Sequence, residues 1–147
     1  MADKSKIGKK YGFTWRVERG KIREMVEAIG DNNPIYRDPE VAQRQGYKDV
    51  VVPPTFGTVP ILWSGILFQA FDDIGVKLSR VMHAEQHYEY YHEIHVGDSL
   101  EGVTEVKRIT EKKGKSGSLE FIEFETVYTN QCNKVVLKEN MLVVERT

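Results

Sequence analysis

From Val50 to Phe71 the chain carries no charged side chain. Nothing else in the sequence limits the fold so strongly. A stretch of this kind must be removed from water, either in a membrane or at the centre of a protein. A membrane span needs about 20 predominantly apolar residues in unbroken helix. Here Pro53, Pro54 and Pro60 interrupt the run, and Thr55, Thr58, Ser64 and Gln69 punctuate it. The pattern therefore predicts a buried helix inside a globular protein. From Thr55 to about Phe71 that helix is apolar nearly all round, through Phe56, Val59, Ile61, Leu62, Trp63, Ile66, Leu67, Phe68 and Phe71. A helix without a polar face is expected at the centre of a fold. Pro60 should kink it or delay its start.

The rest of the chain supplies the layer that could cover such a helix. Phe13 to Glu18 alternates apolar and polar residues as a half-buried strand does. Ile22, Met25, Val26 and Ile29 form one helical stripe, closed by Gly30. Asp38-Pro39-Glu40 reads as a helix start, with Asp38 as N-cap and proline at the first helical position. Gly46 ends that short helix. After Asp72-Asp73-Ile74-Gly75 the texture changes to strands: Val81 to His92, Leu100 to Thr110, Leu119 to Thr129 and Val135 to Val144. Turns are expected at Gly97-Asp98, Lys113 to Gly117 and Asn130 to Asn133. Four successive strands on short connections predict an antiparallel meander packed on the helix at 55–71. The class is α+β, in a single domain spanning residues 1–147, with residues 1–12 as a loose arm.

Composition narrows the function classes. The net charge is −1, which gives no electrostatic reason to expect nucleic acid or an anionic membrane as partner. Cys132 is the one cysteine, read as a turn residue. The chain therefore has no internal disulfide and suits a reducing cytoplasm. No signal peptide is read at the N-terminus. His83 and His87 are four apart. On a strand that spacing spans about 13 Å, too far for one metal ion. No metal site is expected. His92 and His95 read as surface or strand-end residues, and Tyr88, Tyr90 and Tyr91 as sheet packing. Lys112, Lys113 and Lys115 read as a solvated hairpin tip.

The chemistry-bearing stretch is Gly30-Asp31-Asn32-Asn33-Pro34-Ile35-Tyr36. Taken alone it is a turn whose Asp and Asn side chains bond their own backbone. With Arg37 and Asp38 it resembles the D-x-N-P-x-H signature of MaoC-type, R-specific enoyl-thioester hydratases. Gly46-Tyr47 and Val51-Val52-Pro53-Pro54-Thr55-Phe56 are similar to that family's entry into its central helix. His83 to Tyr91 and Val96 to Leu100 are similar to its second strand and following turn. The nearest likeness is to the N-terminal MaoC-like, or FAS1-like, dehydratase subfamily, over roughly residue 7 to the end.

The resemblance implies a hot-dog fold, a curved antiparallel sheet wrapped around one long central helix. It implies a substrate that is an acyl thioester, on CoA or on acyl-carrier protein, and no cofactor. Asp31, Asn33 and Tyr36 become candidate catalytic residues. Pro54, Thr55, Phe56 and Trp63 become candidate substrate-binding residues, Phe56 and Trp63 together with Leu67 and Phe71 as lining of an acyl tunnel.

Two positions depart from the family pattern. Its catalytic histidine falls at Tyr36, and the glycine whose N–H serves its oxyanion hole falls at Pro54. Hydration of a 2-enoyl thioester needs an acid/base pair on the water and N–H donors at the thioester oxygen. Asp31 can act as a base. An ordinary phenol is too weak an acid to stand in for histidine near neutrality, so Tyr36 is left to hydrogen-bond the water. Proline has no N–H, and the Thr55 N–H is a shifted substitute. The expectation is a hydratase/dehydratase subunit that forms a homodimer, or a heterodimer with a second hot-dog subunit carrying the full Asp/His pair. An acyl-CoA thioesterase and a non-catalytic acyl-CoA-binding or assembly subunit are the alternatives, since one fold hosts all three.

Overall fold

The computed structural model describes residues 1–114 and 117–146. The expected hairpin tip at Lys115 and Ser116 lies outside these, as does Thr147. In chain order the elements are β1 (Lys10–Arg16), α1 (Arg19–Ala28), α2 (Pro39–Arg44), α3 (Thr58–Trp63), α4 (Ile66–Asp73), β2 (Val81–Tyr90), β3 (Ser99–Gly114), β4 (Gly117–Asn130) and β5 (Val135–Arg146).

The helix ends are written locally. Gly30 takes a φ of 71°. Its N–H donates to the Glu27 carbonyl, and the Asp31 N–H donates to that of Val26. These two bonds complete the carbonyl-capping motif that a glycine past a helix end allows. Gly46 repeats it after α2, with a φ of 93° and N–H bonds from Gly46 to Gln43 and from Tyr47 to Ala42. The Asp38 carboxylate accepts the N–H groups of Glu40 and Val41 at the start of α2, with Pro39 as the first helical residue.

The five strands form one antiparallel sheet in the order β1-β3-β4-β5-β2. Strands β3, β4 and β5 are the expected meander. Strand β2 does not continue it: it pairs with β5 at the far edge, and β1 lies beside β3. Gly97-Asp98 is consequently not a hairpin turn. It leads into β3 and extends the β1 pairing, since the Val17 N–H donates to Asp98 O and the Gly97 N–H to Val17 O. The segment from residue 91 to 98 instead carries the chain across the end of the sheet.

Helices α3 and α4 pack on the inward face of this sheet, the hot-dog arrangement that the family resemblance implies. The helical segment is interrupted, and the break is at Gly65 rather than Pro60. Gly65 has a φ of 76°, and the Ser64 hydroxyl donates to Ile61 O as α3 ends. Pro60 sits in the first turn of α3, where its missing N–H leaves no bond unmade. Ile61, Leu67, Ala70 and Phe71 bury against Val106, Ile122, Phe124 and Val143. A second cluster, around Phe56, Tyr128, Leu137, Ile22 and Leu100, fills the space below the start of α3. Leu62, Trp63 and Phe68 are exposed, so the segment is apolar all round in sequence but covered on one side only.

Residues 1–12 are not a loose arm. Ala2 is buried, its N–H donates to Glu120 Oε2, and the Asp3 N–H donates to Ile74 O. Asp73 accepts from Lys9, Tyr11 and Lys6. Those three donors, Lys9 foremost, hold its carboxyl well below the usual carboxylate range.

Candidate active site

The Asp31 turn follows directly from the capped end of α1. Asp31 Oδ1 accepts the Asn33 N–H at 2.8 Å, and Asn33 Oδ1 accepts the Ile35 N–H at 3.2 Å. Pro34–Tyr36 then forms a single 3-10 turn. Both side chains thus hold their own backbone, as short polar residues in turns do. The remaining Asp31 oxygen has no partner among the described residues. Arg37 closes the loop from behind. Its Nε and Nη2 both donate to the Asp31 carbonyl, at 3.0 and 2.7 Å. The Val51 N–H donates to Ile35 O at 3.1 Å, which ties this turn to the strand-like segment entering α3. The Tyr36 phenol, half-buried, makes no hydrogen bond among the described residues.

At the start of α3 the Phe56 N–H donates to Pro53 O and the Thr58 N–H to Thr55 O. The N–H groups of the exposed Thr55 and the buried Gly57 are without acceptors among the described residues, so this end of the helix has two unpaired donors although Pro54 has none. Gly57 is not among the candidates the sequence offers, and its role is steric as well. A methyl group there would fall 2.8 Å from Leu137 Cδ2 and 3.0 Å from the Tyr88 ring. The available signal was a glycine inside an otherwise bulky Thr55-Phe56-Gly57-Thr58 run. Pro54 is anchored through its carbonyl, which accepts the Tyr90 hydroxyl at 2.7 Å. Burial raises the Tyr90 phenol above its ordinary range, so it remains a donor.

Under this turn lies a buried polar line. Tyr128 Oη is 2.8 Å from Gly57 O and 2.8 Å from Glu139 Oε2. Gln86 Nε2 donates to Glu139 Oε1 at 2.7 Å, and Gln86 Oε1 meets His83 Nε2 at 2.8 Å. Beside it, the Thr58 hydroxyl bonds the Tyr88 hydroxyl. Burial pushes the Glu139 carboxyl up to about 7, against the opposing pull of the Tyr128 and Gln86 bonds and of His83.

The lining expected from the sequence is distributed differently. Phe56 is 1% exposed and belongs to the closed core, as do Leu67 and Phe71. Trp63 is 64% exposed on the outer side of α3, with Lys21 Nζ 4.1 Å above its ring. A cleft of about 480 Å³ opens instead between residues 47–54 and the crossing segment 90–96. Val50, Val52, Tyr90 and Ile94 give it apolar walls, and Lys48, His92 and His95 are also among its lining residues. Of the candidate catalytic and substrate-binding residues expected from the sequence, only Pro54 borders it. His83 and His87 both lie on β2, and among the described residues no group of three or more His, Cys, Asp or Glu is placed to hold a metal ion. No helix among them is long and apolar enough to cross a membrane.

An antiparallel hot-dog sheet with an Asp-Asn-Pro turn beside the helix entrance defines a protein of the MaoC-like dehydratase class. Residues 5–139 match the model of the FAS1-like, dehydratase domain region, and the chain belongs to that family. It is 39% identical over 114 residues to a UPF0336 protein of Saccharopolyspora erythraea, a match covering 76% of this chain and 73% of that one. Among solved structures it is similar to a MaoC-like dehydratase, with a TM-score of 0.81 and 26% identity, over 97% of this chain and 43% of that longer one. It shares its fold with a chain of the C-terminally truncated HadBC (3R-hydroxyacyl-ACP dehydratase) complex of Mycobacterium tuberculosis. The TM-score there is 0.78 at 20% identity, over 95% and 96% of the two chains.

Proposed function

We propose that this chain is a subunit of an R-specific 2-enoyl-thioester hydratase, working on CoA or acyl-carrier thioesters, whose chemistry is completed by a second hot-dog subunit. The observation that carries this reading is the Asp31 turn. It is fully built, capped by Gly30 and clamped by Arg37, yet it presents a phenol at position 36 and a proline at position 54. Such a turn can bind and orient a water through the open Asp31 oxygen, with Tyr36 as a hydrogen-bond partner. It lacks a second group able to exchange protons near neutrality. The partner would supply an Asp/His pair, which moves the proton between water and Cα while oxygen adds at Cβ. One oxyanion donor is typically worth about 10²–10³ in rate, so a chain without the histidine at position 36 and without an N–H at position 54, its unpaired donors shifted to Thr55 and Gly57, is a weak catalyst alone.

The dimer reading draws support from the sheet. Strand β2 is an edge strand with one side unpaired, and such edges invite pairing with another chain. That the HadBC neighbour is itself a complex of two subunits is consistent with this. The cleft between residues 47–54 and 90–96 is the proposed acyl site in place of a tunnel along the helix. Its apolar walls suit a hydrocarbon chain and its Lys48, His92 and His95 suit an anionic carrier arm.

The test is hydration of crotonyl-CoA by the pure protein, alone and mixed with a hot-dog subunit bearing the Asp/His pair. Weak activity alone and strong activity in the mixture is the expected result. Robust activity alone, abolished by Asp31→Asn, would overturn the partner requirement. Release of free thiol without hydration would replace the reading with a thioesterase.

A further inference from the structure

The buried line beneath α3 is one hydrogen short when Glu139 is ionised. A phenol owns a single hydrogen, yet Tyr128 Oη stands 2.8 Å from two acceptors, Gly57 O and Glu139 Oε2. Glu139 and Tyr128 are each about fully buried, and Gly57 is buried with them. Against an ionised Glu139 the phenol hydrogen goes to the carboxylate, because a charge-assisted bond is the stronger one. The Gly57 carbonyl then faces only oxygen lone pairs. With a proton on Oε2 both contacts are satisfied: Glu139 donates to Tyr128, and Tyr128 donates to Gly57. Gln86 fits the same state, since its amide N–H takes Oε1 and leaves Oε2 to carry the proton.

We propose that Glu139 is a positioning residue which, through Tyr128, holds the Thr55-Phe56-Gly57-Thr58 turn in its donor-presenting geometry while protonated and releases it on ionisation. The groups facing Glu139 agree with this assignment. From β4 come Thr126 and Tyr128, from β2 come Gln86, Tyr88, Tyr90 and His83, and from the α3 side come Gly57 and Thr58. No lysine or arginine is among them, and His83 is hydrogen-bonded to Gln86 rather than to Glu139, its charge pulling the carboxyl down less than burial raises it. A carboxyl so placed favours its neutral form, in line with its upward displacement to about 7. The consequence for a thioester, a pH gate on the unpaired N–H groups of Thr55 and Gly57, rests on the proposed hydratase reading. The coupling between Glu139 and the turn does not.

The experiment is an NMR pH titration of the intact protein from pH 5.5 to 9, without substrate. It follows the amide shifts of Thr55, Gly57 and Thr58, the Glu139 side-chain carboxyl carbon, and amide exchange at Thr58 and Val59 corrected for intrinsic rate. In the wild type the turn amides and the Glu139 carbon should share one midpoint, with exchange protection falling about tenfold above it, the scale of one lost hydrogen bond. Glu139→Gln, whose amide can donate permanently to Tyr128, should hold the low-pH shifts throughout. Tyr128→Phe should show the released turn at every pH. His83→Asn, which removes the downward pull of the imidazole, should move the midpoint upward while the turn amides and the Glu139 carbon still share it, which separates Glu139 from the nearby imidazole. Different midpoints for the Glu139 carbon and the turn amides in wild type overturn the proposal, and so does a Glu139→Gln turn that still titrates. The wild-type comparison decides the matter even if a variant fails to fold. A negative hydration assay would leave this result untouched.

Discussion

Gly102→Ala tests whether the space under β1 is reserved for one ring. Gly102 lies directly opposite Phe13 in the β1–β3 register. Its backbone is not in the left-handed region, so glycine is needed there for room and not for conformation. A methyl group at Gly102 would fall within 3.0 Å of three ring carbons of Phe13. The ring cannot simply lift, because it packs against both core clusters and meets Tyr128 edge-on at 5.9 Å. Overpacking of this kind typically costs about 1–3 kcal/mol, and here the upper end applies. In a Phe13→Ala background the obstacle is gone. The same Gly102→Ala change should then be neutral or stabilising by about 0.4–1 kcal/mol, because alanine restricts the unfolded chain. Phe13→Ala itself should cost about 3–5 kcal/mol. The two changes are therefore coupled by about 3–4 kcal/mol, well outside the additivity expected of independent sites. Urea unfolding of wild type, both single variants and the double variant measures this. If Gly102→Ala costs the same in both backgrounds to within about 0.5 kcal/mol, the steric account of β1 is wrong.

Two further outcomes follow from other parts of the fold. The raised Glu139 carboxyl, about 7 against an ordinary 4.5, means that between those values the folded chain keeps a proton that the unfolded chain gives up. The associated stability is present in full below pH 4.5 and is lost as pH rises through 7. At 1.36 kcal/mol per unit the total is about 3 kcal/mol. The difference in urea stability between Glu139→Gln and wild type should accordingly grow by that amount from pH 4.5 to 8, and a pH-independent difference would contradict it. Asp38→Ala removes the carboxylate that accepts two N–H groups at the start of α2. It should lower stability by about 1 kcal/mol, read as a drop in thermal midpoint, while Asp38→Asn should retain most of it.

The elements legible in the sequence are those whose determinants are close together in the chain. Gly30 and Gly46 end their helices through bonds that reach no further than five residues back. Asp38 and Pro39 start α2 within one turn. The Asp31-Asn33-Pro34 turn is held by side chains bonding two residues ahead. The burial expected for the uncharged 50–71 segment holds on one face only: Ile61, Leu67 and Phe71 are buried, while Leu62, Trp63 and Phe68 stay exposed, because pattern alone does not say how much of a helix the sheet covers. Strand order was not legible in this way. The alternation in β2 fits pairing with β3 as well as with β5, and the choice rests on how the 91–98 segment crosses the sheet. The helix break at Gly65 was masked by Pro60, the louder signal in the sequence but a harmless one in a first helical turn.

What the sequence determined alone is therefore the α+β class and the local shape of the Asp31 turn, since short-range geometry and hydrophobic pattern are carried by neighbouring residues; the family entered through the resemblance of its motifs. What only the tertiary structure decided is which groups meet. It set Phe56 in the core and Trp63 in solvent, and opened a cleft beside Pro54. It also placed Tyr128 between Gly57 and Glu139, partners 71 and 11 residues away. No periodicity encodes such meetings, because they depend on the folding of a sheet over a helix and on the register that results.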